Sequence, residues 1–81
     1  MMQIQLDTIL HMLNEIQPLG IWSEDTPLFE SGYMDSMMIF DKLLPALEER
    51  FEIQIAPFEL IPEHFDTPSA IFAYVKGKKE R

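Results

Sequence analysis

From Met37 to Phe51 the apolar side chains recur at steps of three, four, three and four: Met37, Phe40, Leu44, Leu47 and Phe51. That spacing lines a single face of an α-helix. Asp41, Glu48 and Glu52, seven and four apart, share an exposed face, with Glu49 beside it. Asp35 stands where an N-cap belongs. A helix with one apolar stripe has to be covered by other elements, and at 81 residues the chain has room for one core only.

The covering elements are readable in turn. Residues 2–16 place Ile4, Ile9, Leu13 and Ile16 at helical spacing, with Leu6, Leu10 and Met12 widening the stripe. Pro18 and Gly20 end that helix. Residues 17–35 read as a long loop carrying Leu19, Ile21, Trp22, Leu28, Phe29 and Tyr33, too much apolar surface for a solvated linker, so the loop is expected to lie across the helices. Residues 52–57 are an extended connector. A short helix over 58–64 is interrupted by Pro62. Thr67 caps a last helix that begins at Pro68, carries Ala70, Ile71, Tyr74 and Val75, and stops near Gly77. The expected fold is all-α: a small bundle of three main helices plus one short helix, with a long loop between the first two. Its core is expected to hold Ile9, Leu13, Phe29, Phe40, Leu44, Leu47, Phe51, Ile71 and Val75. Residues 1–76 form the domain, and 77–81 a basic, flexible tail.

Charge and composition exclude several functions. Four of the six basic residues are Lys76, Lys78, Lys79 and Arg81; before them only Lys42 and Arg50 oppose thirteen acids. So acidic a body repels nucleic acid and suits basic protein surfaces. No cysteine is present, which removes disulfides, thiolate metal sites and a cysteine nucleophile. No metal site is expected. The stretch MMQIQLDTILHM does not read as a signal peptide, and no apolar run approaches the ~20 residues that span a bilayer. A cytoplasmic, monomeric protein without membrane insertion is expected.

The chemistry-bearing residue is Ser36. Asp35 and Ser36 could simply share the capping of the helix. A hydrolase serine is excluded, because His11 and His64 lie in unrelated segments and no Gly-x-Ser-x-Gly elbow exists. The surrounding stretch DTPLFESGYMDSMMIF, however, resembles the phosphopantetheine-attachment region of the acyl carrier protein family, through Asp25, Leu28, Phe29, Glu30, Gly32, Asp35 and Ser36. The stretch ALEERFEIQI, residues 46–55, is similar to the end of that family's second helix, and the likeness runs over about residues 4–75. The resemblance implies a carrier that is not itself an enzyme. A 4′-phosphopantetheine arm from coenzyme A would be attached to Ser36 and would hold an acyl or aminoacyl group as a thioester. Asp35 would be the motif acid, and Met37 and Met38 arm contacts. Asp41, Glu48 and Glu49 would meet partner enzymes: a phosphopantetheinyl transferase, an acyl- or aminoacyl-loading ligase, and a downstream acyltransferase or synthase.

Within that resemblance, HFDTPSAI, residues 64–71, is more similar to D-alanyl carrier proteins than to fatty-acid carriers. An aminoacyl carrier of a cell-envelope or nonribosomal pathway is therefore the alternative cargo reading, and an unmodified helical protein–protein interaction domain the alternative of another class. One departure stands out. In the family pattern the phenylalanine ending the second helix lies one residue nearer the serine than Phe51 does to Ser36, and Pro45 falls inside this helix. An extra residue between Met38 and Lys42 predicts a π-bulge that absorbs the proline and leaves a kink.

Overall fold

In the computed structural model residues 5–79 are described, and they are helical without strands. Helix α1 is Leu6–Ile16. Of the helix read over residues 2–16, residues 2–4 lie outside the described residues, and Gln5 is its extended N-cap, so the helix begins at Leu6. A helical run then begins with α2, Ser36–Met38, passes through a π-helical turn, Ile39–Leu43, and continues as α3, Leu44–Phe51. A 3₁₀ turn, Pro57–Glu59, precedes α4, Pro62–Phe65, and α5, Pro68–Lys79. Helix α1 packs on α5 and on the π turn, and α4 packs on α5.

The π turn sits where the extra residue was expected. The Leu44 N–H donates to the Ile39 carbonyl, five residues back. Pro45 follows at once, in the first turn of α3, where its missing N–H and its ring are least disruptive. The wide turn also resets the register. Leu44, Leu47 and Phe51 are buried as their spacing predicts, but within the turn the inward positions belong to Ile39 and Leu43. Phe40 is 55 % exposed and Met37 69 %, so neither lies in the core stripe. One residue rotates a helix by about 100°, enough to turn a side chain from core to surface. Phe29, also expected inside, is 42 % exposed. The observed core joins Ile9, Met12 and Leu13 of α1 to Leu28, Met34, Phe65, Ile71 and Val75.

The long loop is fastened at both ends. Gln17 Nε2 donates to the Tyr33 carbonyl at 2.9 Å, and Trp22 Nε1 donates to the Gln17 carbonyl at 3.0 Å. The Trp22 ring meets Tyr33 edge-on at 5.4 Å and crosses Gly20 so closely that a Cβ there would lie 2.7 Å from the indole. Farther along, the Leu28 N–H donates to the Asp66 carbonyl at 2.9 Å, and the Ser69 N–H to the Glu24 carbonyl at 3.1 Å. The loop therefore packs through Leu28 and Met34, while Leu19 and Ile21 stay exposed.

Three smaller expectations change. Pro62 starts α4 instead of interrupting a helix over 58–64. Helix α5, capped by Thr67 Oγ1 accepting from the Ala70 N–H at 3.1 Å, does not stop near Gly77 but runs to Lys79. The stretch expected to be a flexible tail from residue 77 thus begins as helix, and Lys78 in it pairs with Glu59 at 2.8 Å. Residues 80 and 81 lie outside the described residues.

Candidate functional site

Ser36 is the first residue of α2 and is exposed. The residue before it does the capping. Asp35 has extended backbone, φ −119° and ψ 178°, and its Oδ1 accepts from the Met38 N–H at 2.9 Å. Its carbonyl takes the Ile39 N–H at 3.2 Å. Asp35 therefore leaves no capping role for Ser36, whose Oγ has no hydrogen-bond partner among the described residues. The hydroxyl also stands at the positive end of the helical run, beside N–H groups that have no carbonyl to bond within the helix.

A pocket of about 140 Å³ opens beside it, lined by Phe29, Ser36, Ile39, Phe40, Leu60, Ile61 and Phe65. Ser36 contributes the one hydroxyl; the other side chains are apolar. The two phenylalanines missing from the core are thus accounted for: Phe29 of the loop and Phe40 of the π turn form the wall of this pocket. The sequence places Phe29 and Phe40 together in one expected core; the structure keeps them together but at the partly exposed wall of a pocket. The signal that could have shown this was the extra residue, had its rotation been carried through to Phe40.

The other expected site residues separate. Met38 is half-buried, packed against the core, whereas Met37 projects into solvent. Asp41 and Glu49 are exposed and make no ion pair among the described residues. Glu48 is half-buried, and its Oε2 accepts from the Ile55 N–H at 2.9 Å, fastening the connector after α3. Glu52 lies past the helix end in left-handed backbone, φ 54°. Of the three acids expected to share a face, Glu48 is thus engaged by the connector and Glu52 stands beyond the last helical residue. Among the described residues there is no cluster of acids or histidines able to hold a metal ion. His64 instead stacks on Tyr74 at 4.7 Å.

The chain is 35 % identical to a D-alanyl carrier protein of Lactobacillus acidophilus over 70 residues, 85 % of this chain and 87 % of that protein. It is 34 % identical to that of Abiotrophia defectiva over 74 residues, 89 % and 92 % of the two chains. With that of Lactococcus lactis it shares 39 % over 56 residues, 69 % and 70 %. This chain belongs to the same carrier protein family. No protein-family model matches it, and no solved structure matches it significantly. An all-α carrier domain agrees with the observed helices, and among the described residues no helix is long and apolar enough to cross a membrane.

Proposed function

We propose that this carrier protein bears 4′-phosphopantetheine on Ser36 and that its cargo is small, an aminoacyl group such as D-alanyl. The observation that carries the attachment is a serine left over by its own helix cap: exposed, with Oγ unbonded, one residue after the aspartate that satisfies the Met38 N–H. The residues fit the group. A phosphodiester on Oγ would meet the helix N–H groups, and the pocket beside it would offer an apolar wall. Once attached, the arm supplies the thiol that a chain without cysteine lacks. The chain itself positions the hydroxyl and catalyses nothing.

The pocket size supports the cargo reading. About 140 Å³ is close to the ~150 Å³ of an apolar protein cavity that holds benzene. A group of a few heavy atoms matches that space, which suits delivery of an aminoacyl group. The D-alanyl carrier relatives support the same choice. The partners are a phosphopantetheinyl transferase, which draws on coenzyme A, an aminoacyl-loading ligase and a downstream acyltransferase, met in the cytoplasm. Asp41 and Glu49 are exposed acids of the helical run that Ser36 opens, and they would speed docking to basic enzyme surfaces. Met37 is the arm contact with the most exposed surface.

The test is to incubate the chain with coenzyme A and a promiscuous phosphopantetheinyl transferase and to weigh the product. The wild type gains one phosphopantetheine and Ser36→Ala gains none; no gain, or equal gain by both, overturns the attachment. Loading D-alanyl and then octanoyl groups on the modified protein tests the cargo. NMR shifts of Leu13, Leu47 and Ile71 that are small with both support a closed core. Large shifts with octanoyl alone would show that the core opens for long chains.

A further inference from the structure

The wall of the Ser36 pocket opposite the long helical run is the segment 57–65, through Leu60, Ile61 and Phe65. One end of that segment is set firmly. Phe65 is buried, and the carbonyl of its neighbour Asp66 accepts from the Leu28 N–H. The rest is held lightly. Its backbone bonds are local: Glu59 to Ala56, Leu60 to Pro57, Ile61 to Glu59 and His64 to Ile61. Phe58 is 81 % exposed and Leu60 only half-buried.

What fastens this part to the body is the Glu59 side chain. Lys78 Nζ donates to both of its oxygens, at 3.0 and 2.8 Å, and the Tyr74 hydroxyl donates to Oε2. Tyr74 is in turn steadied by ring contacts to Phe65 at 5.3 Å and to His64 at 4.7 Å. The donors favour the carboxylate: the hydrogen bond from Lys78, and then that from Tyr74, lower its pKa below the usual glutamate value. On the outer side of the segment lies an open groove bordered by Ile61, Tyr74 and Lys78. Ile61 borders the groove and the Ser36 pocket alike, so it is the partition between them.

We infer that Glu59, clasped by Tyr74 and Lys78, is a latch that keeps the segment 57–65 closed over the Ser36 pocket and so sets the size of apolar group the pocket admits. With the latch closed the pocket stays near 140 Å³. With it released, Leu60 and Ile61 are retained by apolar contact alone, and an outward movement of Ile61 joins the pocket to the groove. Glu59, Tyr74 and Lys78 are positioning residues in this scheme, acting through Leu60 and Ile61. The inference gives a regulator to the site proposed above and rests on that proposal for its biological use. Its test needs no modified serine, so either can fail alone.

The experiment compares the unmodified wild type with Glu59→Gln, Lys78→Met and Tyr74→Phe, the last of which keeps the ring contacts and removes only the hydroxyl. Amide hydrogen exchange and methyl NMR are recorded, and benzene and butylbenzene serve as probes. In the variants, protection at Glu59, Leu60, Ile61 and His64 is expected to fall about tenfold. Protection in the core, at Leu13 and Leu47, is expected to hold. Benzene should shift Ile39 and Ile61 in every protein, and butylbenzene only in the variants. Unchanged protection with unchanged probe selection overturns the latch. So does a loss of protection spread evenly over the core, because the contacts would then be general stabilisers and not a closure of the pocket.

Discussion

Replacing Ile39 by alanine removes a side chain that is 4 % exposed, while replacing Phe40 removes one that is 55 % exposed. In an unbroken α-helix with the spacing read from Phe51 backward, Phe40 would be the buried residue and Ile39 would turn away. The two substitutions therefore report directly on the π turn. Truncating a buried isoleucine costs about 2–5 kcal/mol, from lost apolar transfer and the cavity left behind. A buried phenylalanine would cost about 3–5 kcal/mol. With more than half of its surface in solvent Phe40 has much less to lose, about 1 kcal/mol. The expected order is thus Ile39→Ala well above Phe40→Ala, the reverse of the order from simple helical periodicity. The total stability of a chain this size is about 4–12 kcal/mol, so Ile39→Val, at about 0.5–1.5 kcal/mol, is the safer companion if the alanine variant unfolds. Equilibrium urea unfolding followed by far-ultraviolet circular dichroism measures both, with the slope checked for constancy. If Phe40→Ala proves the more destabilising at equal slope, the register drawn from the π turn is wrong, and the pocket wall beside Ser36 falls with it.

Two further outcomes are expected. Asp35→Ala removes the acceptor of the Met38 N–H and should lower stability by about 1 kcal/mol, seen as a fall in Tm of about 4–8 °C; an unchanged Tm would mean that the cap is not formed in solution. Glu59, whose pKa is lowered chiefly by Lys78 and then by Tyr74, contributes stability that is present above the usual carboxylate range and is lost as pH falls through its depressed folded value. The urea midpoint of the wild type should therefore exceed that of Glu59→Gln at neutral pH, with the gap closing as the pH drops from about 5 toward 3. A gap that stays constant over that range would show that the carboxylate charge is not what holds the contact.

Most of the helices could be read from period and caps, because both are local. Asp35 and Thr67 accept from N–H groups three residues on, and such a bond needs no knowledge of the rest of the chain. The stripe of Leu44, Leu47 and Phe51 was legible for the same reason, since those residues lie within one regular helix. Reading failed where the period itself changed. The extra residue before Pro45 announced a π turn, but a stripe counted at 3.6 residues per turn still ran straight through it and put Phe40 inside. Phe29 failed differently: a large aromatic is not thereby a buried one, and this one stands at the rim of a pocket.

The remaining misses are long-range. By spacing Glu48 is a surface acid, but its oxygen accepts from the Ile55 N–H, across the turn that ends α3. By residue type Gly77 is a helix stop, yet a helix ends where its own bonds and its packing stop favouring it, and Lys78 is drawn to Glu59, 19 residues away in sequence. These misses share a cause. The helix period places residues on faces; which polar atom reaches which, across a turn or between segments, is set by tertiary packing. Of these contacts, the one from Lys78 to Glu59 adjoins Leu60 and Ile61 in the wall of the Ser36 pocket. The serine could therefore be picked out from its neighbours in sequence, whereas the space beside it, and the side chains that shape that space, required the fold.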